Sequence, residues 1–258
     1  MISAGYWFGD AGASMGIMPK ALWQKLVKVD DKNRIKLAMN LLLIRSENKN
    51  ILVDTGLGNK ISEKVQKIYS PSKFILLESL AELGLTRNDI DIVVLTHLHF
   101  DHAGGIVSFI DDKKQLTFPN ALHVIQQKEW EIAQNPDELN NASYNFKEDL
   151  KLLEDIGNYK LIDGDFELTK DVVLELTGGH SEGTQVVRID SDNKLAYYPG
   201  DILPMEINRH LAVTTAFDIN RKDTFNAKKK ILSEIKERDG IIFLGHDSGK
   251  MFIEFGEY

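Results

Sequence analysis

Five apolar runs in this chain end in histidine or aspartate, and their order constrains the fold more than any other feature. Ile51-Leu52-Val53 leads into Asp54, and Val93-Val94-Leu95 leads into His97-Leu98-His99-Phe100-Asp101-His102. Val173-Leu174-Glu175-Leu176 reaches His180 through Thr177-Gly178-Gly179. Tyr197-Tyr198-Pro199-Gly200 ends in Asp201, and Ile242-Phe243-Leu244-Gly245 ends in His246. Short apolar runs bounded by turn residues read as buried strands. In α/β sheets, ligands collect where loops leave the carboxyl ends of strands. A fold that places these strand ends at one edge would therefore assemble a cluster of imidazoles and carboxylates.

The densest window, His97 to His102, holds three histidines and an aspartate. With 7 His and 22 Asp in 258 residues, such a window arises by chance in roughly 4 of 10,000 chains of this composition, which is low for a motif match. Imidazole and carboxylate suit zinc and its first-row neighbours. Cysteine is absent, so disulfides and thiolate sites are excluded and any metal must rest on His, Asp and Glu. Lys and Arg number 31 against 39 Asp and Glu, a net charge of −8. That balance, with no dense basic run beyond Lys228-Lys229-Lys230, argues against a nucleic-acid partner. No apolar run approaches the ~20 residues that span a bilayer, so no membrane association is expected. The N-terminus lacks the basic and apolar regions of a signal peptide, and a cytoplasmic location is expected. A small-molecule substrate is the expected partner, with self-association into a homodimer left open.

With 43% hydrophobic and 27% charged residues, the composition is that of a globular protein with ample core. No repeat or Pro/Ser-rich linker divides it, and one domain over residues 1–258 is expected. Residues 37–45 and 50–54 read as a hairpin around the polar turn Ser46 to Lys49. Helical spacing is read at 61–68, 74–83, 128–134, 144–156 and 223–238. Further strands are read at 90–96, 121–125, 172–176, 185–189, 195–198 and 241–244. Helices alternating with strands predict an α/β layered fold. His123 sits mid-strand and reads as structural. Trp7-Phe8 and Met15 to Pro19 are apolar residues among glycines, read either as core or as an apolar wall over the site.

The ordered set His-x-His-x-Asp-His at 97–102, Gly-His at 179–180, Gly-Asp at 200–201 and Gly-His at 245–246, supported by Asp54-Thr55-Gly56, resembles the metallo-β-lactamase-fold hydrolases. The resemblance runs from about residue 37 to the C-terminus. Phe100, Thr55-Gly56 and the stretch at 198–204 place it nearest the branch of N-acyl homoserine lactonases and methyl-parathion-type hydrolases. It implies an αβ/βα sandwich with a dinuclear metal site at one edge of the two sheets. His97, His99 and His180 would hold one ion; Asp101, His102 and His246 the other, with Asp201 bridging. Asp54 would orient a ligand histidine. Lactonases of this family carry a tyrosine shortly after the bridging aspartate, where this chain has Leu203-Pro204-Met205. His210 and Tyr198 are the candidates for that role.

The resemblance implies a metal-dependent hydrolase with two divalent ions, zinc by ligand type, with manganese, iron or cobalt as alternatives. A metal-bridging hydroxide would attack a small ester or lactone, and Asp101 would carry a proton to the leaving oxygen. Phosphotriester or phosphodiester hydrolysis at the same site is the runner-up. A metal-binding, non-catalytic member of the fold is the rival from another class, and it would be expected to have lost a ligand.

Overall fold

The structure is a computed structural model and describes residues 1–255. Strand β1 (Ile2–Asp10) pairs antiparallel with β2 (Arg34–Ser46), which turns into β3 (Lys49–Val53). Next come β4 (Ile92–Val94), a small separate hairpin of β5 (Val107–Ile110) and β6 (Lys113–Leu116), then β7 (Leu122–Gln126) and β8 (Tyr159–Ile162). The first six-stranded sheet has the order β1-β2-β3-β4-β7-β8, parallel from β3 onward. The second is built from β9 (Phe166–Thr169), β10 (Val172–Leu176), β11 (Gln185–Ser191), β12 (Lys194–Tyr198), β13 (Ile241–Phe243) and β14 (Phe252–Glu254). Its order is β14-β13-β12-β11-β10-β9.

Alternate side chains of one strand enter different cores. Ile51 and Val53, with Ile92 and Val94, face Val172, Leu174 and Val187 between the sheets. Leu52 and Val93 point the other way, into a layer with Leu76, Leu80, Trp130 and Leu153 from helices Leu76–Ala81, Gln127–Gln134 and Lys151–Ile156. On the far side, Val186, Leu195 and Ile242 pack against Ala227, Ile231 and Ile235 of helix Arg221–Glu237. The layers run helix, sheet, sheet, helix. Burial on both faces explains why the strands read as continuous apolar runs.

Several elements depart from the sequence reading. The N-terminal segment is a sheet strand: Gly5 and Gly9 interrupt its apolar pattern. Gly5 (φ 117°) lies where the β1–β2 register shifts, and a Cβ there would press on the Lys73 carbonyl oxygen. A bulge at such a glycine is the expected use of its freedom. Strands β9 to β12 follow one another antiparallel, with no helix between them. Two-residue turns join β9 to β10 and β11 to β12, as at Asp192-Asn193 (φ 50° and 63°), while the longer loop at 177–184 joins β10 to β11. The helical stretch at 144–156 is two short helices, Phe146–Asp149 and Lys151–Ile156, parted at Leu150. No helix among the described residues is long and apolar enough to cross a membrane.

Candidate metal centre

The strand ends meet at one edge of the sandwich. His97 follows β4, and His99 caps the short helix Phe100–Ala103, whose first turn presents Asp101 and His102. Leu98 packs into the core, as strand alternation requires, which leaves His97 and His99 with ring centroids 4.5 Å apart. Phe100 escapes that alternation because the helix begins there, and it lines the cavity. His180 and Asp201 leave β10 and β12, and His246 follows β13. Gln185 ties the two sheets at this edge: its N–H donates to the Thr96 carbonyl (2.9 Å) and its side chain to the Leu95 carbonyl (2.7 Å).

Three groups of ligand-type atoms each lie within 4.8 Å: His97, His99 and His180; His97, His102 and Asp201; Asp101, His102 and His246. Asp201 faces both sides. Its Oδ2 is 3.3 Å from His180 Nε2, while its Oδ1 is 3.3 Å from His102 Nε2 and 3.1 Å from His246 Nε2.

Three of the rings are held by their outward nitrogens. His102 Nδ1 donates to Asp54 Oδ2 (2.9 Å), His180 Nδ1 to Asp218 Oδ1 (2.9 Å), and His246 Nδ1 to the Ala38 carbonyl (2.7 Å). In these tautomers the inner nitrogens carry lone pairs, because a neutral imidazole has one N–H. Yet His102 Nε2 lies 3.1 Å from His246 Nε2, and His180 Nε2 lies 3.0 Å from His99 Nδ1. Lone pairs so close repel unless a cation or proton lies between them. His97 Nε2 and Asp201 Oδ1 are buried without a hydrogen-bond partner, which native structures rarely tolerate. The donor set therefore fits metal cations. Burial, then the neighbouring imidazoles, holds His97 and His99 well below the ordinary histidine range, so both stay neutral. Against burial, which opposes it, positive charge at His246, His102 and His180 would hold Asp201 well below the carboxylate range, so protons on these rings do there what a cation would do beside the neutral ones.

Asp54 is wholly buried, in the left-handed region (φ 63°), and accepts from His102 and from the Thr96 N–H (2.8 Å) and hydroxyl. Thr96 Oγ1 also lies 3.1 Å from His97 Nδ1. Such carboxylate partners fix the tautomer and orientation of metal-binding histidines. Tyr198 does not reach the cavity. It is buried between the sheets and donates to the Asn40 carbonyl (2.9 Å), while Tyr197 faces the other way toward Glu234. His210 is exposed and lines a different cleft, with Ile35, Lys36 and Lys236. A short 3-10 helix, Glu206–Arg209, carries the chain away from Asp201 before His210 is reached.

The cavity above the cluster is about 520 Å³. Asp101, Asp201, His99, His180 and His246 line its floor; Trp7, Phe8, Leu37, Tyr69, Phe100 and Phe217 line its walls. Trp7 stands edge-on to Tyr69 (5.3 Å), Phe100 (5.8 Å) and His246 (6.3 Å), so the N-terminal strand does form an apolar wall. Met15 is core, fully buried. The phenol that lines the cavity is that of Tyr69, stacked on Phe100. Asp218 and Tyr69 escaped the sequence reading because neither lies near a histidine in sequence. The dyad Thr96-His97 was the only local signal for Thr96.

A family model described as the metallo-beta-lactamase superfamily matches residues 37–246. The N-acyl homoserine lactonase of Bacillus cereus is 27% identical over 229 residues, covering 83% of each chain. The crystal structure of a probable metal-dependent hydrolase from Staphylococcus aureus superposes with a TM-score of 0.91 at 28% identity, covering 98% of this chain and 90% of that one. An N-acyl homoserine lactone hydrolase with N-hexanoyl-L-homoserine bound at its catalytic metal centre superposes with a TM-score of 0.73 at 25% identity, over 96% and 92% of the two chains.

Proposed function

The chain belongs to the metallo-beta-lactamase superfamily, as a hydrolase of its lactonase-like branch, and from that membership we propose that it opens a lactone or simple uncharged ester at a centre of two divalent ions. The observation that carries this reading is the placement of Asp201, one oxygen toward each half of the cluster. His97, His99 and His180 would hold one ion and Asp101, His102 and His246 the other, with Asp201 placed to reach both. Zinc suits this nitrogen-rich set, with manganese, iron or cobalt as substitutes. When bound, two such ions supply a nucleophilic water at neutral pH and polarise the carbonyl under attack.

The protein's own groups do the rest. Asp54, Asp218 and the Ala38 carbonyl lock the rings of His102, His180 and His246. Asp101 lines the cavity 3.5 Å from His246 Nε2 and moves a proton to the leaving oxygen. Trp7, Tyr69 and Phe100 bind the acyl part and exclude water. The lactonase relatives make N-acyl homoserine lactones the first compounds to test. A panel of lactones, aryl esters, a phosphotriester and a phosphodiester tests the reading by kcat/KM. We expect a lactone or ester to lead, and faster cleavage of the phosphodiester than of every lactone and ester would overturn the substrate class.

A further inference from the structure

Glu129 takes no part in the cluster, yet it is a buried carboxylate, 1% exposed, in the first turn of helix Gln127–Gln134. Its Oε1 accepts the Leu98 N–H (2.9 Å) and the Tyr144 hydroxyl (2.9 Å), and its Oε2 accepts the Ser181 hydroxyl (2.5 Å). Every donor adjoins one half of the centre. Leu98 lies between His97 and His99, the Tyr144 ring stands edge-on to His99 at 4.9 Å, and Ser181 follows His180. The loop carrying His180 also packs directly on this residue, since a Cβ on Gly183 would collide with the Glu129 backbone. Burial and the Glu129 charge hold the Tyr144 phenol well above the ordinary tyrosine range, so it remains a donor. The rings of the other half, His102 and His246, are held by Asp54 and the Ala38 carbonyl, neither of which touches Glu129.

We infer that Glu129 is a positioning residue for the ion held by His97, His99 and His180, clamping the two loops that supply those ligands while leaving the other ion to Asp54. The inference rests on the dinuclear reading above. Two loops from different sheets must keep three nitrogens converging, and a single carboxylate with three donors fixes both loops at once. Removing it leaves the Leu98 N–H and the Tyr144 hydroxyl buried without an acceptor and frees Ser181 to turn to Thr184, a cost the loops relieve by moving. Partners of this kind typically contribute 10–100-fold to metal affinity.

The test is cobalt(II) titration of metal-stripped protein, read by visible absorption and by competition with a chromophoric chelator. His180→Ala and His246→Ala identify which band belongs to which ion. For Glu129→Ala we expect affinity for the His97, His99 and His180 ion to fall about 10–100-fold, with the other ion held as in wild type. Glu129→Gln should restore most of the loss, because its amide oxygen still accepts from Leu98 and Tyr144 while Ser181 turns to Thr184, 2.8 Å away. Equal weakening of both ions, or no weakening, in Glu129→Ala overturns the inference. If that variant does not fold by circular dichroism, the double variant Tyr144→Phe with Ser181→Ala takes its place under the same criteria. Uptake of fewer than two ions by the wild-type protein would contradict the dinuclear reading, whereas two ions in wild type and an unchanged Glu129→Ala contradict this inference alone.

Discussion

Asp201, half-buried, and His123, fully buried, show how differently two polar side chains serve this protein. Asp201 places its oxygens against opposite halves of the cluster, so its charge is the element an amide cannot replace. We expect Asp201→Asn to lower turnover at least about 100-fold, as removal of a key electrostatic group does, and to loosen one ion. Unchanged turnover and metal content in that variant would show that Asp201 is no bridge. His123 is structural. It is fully buried on β7, with Nδ1 3.2 Å from the Asn158 carbonyl and Nε2 unpartnered. Burial, offset in part by that backbone contact, lowers its pKa from 6.5 to about 4. Between these values the unfolded chain binds a proton that the native state refuses, so stability is present above pH 6.5 and is lost as pH falls toward 4. The loss by pH 5 is about 2 kcal/mol from this residue. Denaturant unfolding at pH 7.5 and pH 5 should give a smaller difference for His123→Gln than for wild type; equal differences would refute the assignment.

Among the elements, β1 carries the clearest functional consequence, because it brings Trp7 and Phe8 to the cavity wall. Trp7→Ala should cost about 3 kcal/mol of stability, as large-to-small changes of buried aromatics do. It should also raise KM for a long-acyl lactone more than for a short one, with metal content unchanged. Equal KM changes for both chain lengths would place Trp7 in the core alone. This strand was the least legible element, since Gly5 and Gly9 broke the period-2 pattern that marks a strand. The turn at Glu47-Asn48 was legible and closes its hairpin with two left-handed residues. Asp111-Asp112 makes the same turn between β5 and β6 and was passed over because Lys113 to Gln115 offer no apolar alternation. The cluster itself was readable because its residues end strands. Asp218, Tyr69 and Glu129 were not, because their roles exist only through tertiary approach.

Across the whole molecule, the two sheets converge their strand ends on one acidic protein's single histidine-rich edge among the described residues. A net charge of −8 gives no general attraction to polyanions, and the aromatic walls suit an apolar acyl group. Hydrolysis of uncharged lactones and esters should therefore exceed that of phosphodiesters, and a strong chelator should abolish it, with activity returning on addition of zinc. Activity that survives complete metal removal would place the chemistry elsewhere. The most direct measurement is elemental analysis of protein produced in metal-replete medium and freed of loosely held ions. Two ions per chain are expected from the pairing of His97, His99 and His180 with Asp101, His102 and His246 across Asp201. One ion or fewer per chain would contradict the dinuclear centre.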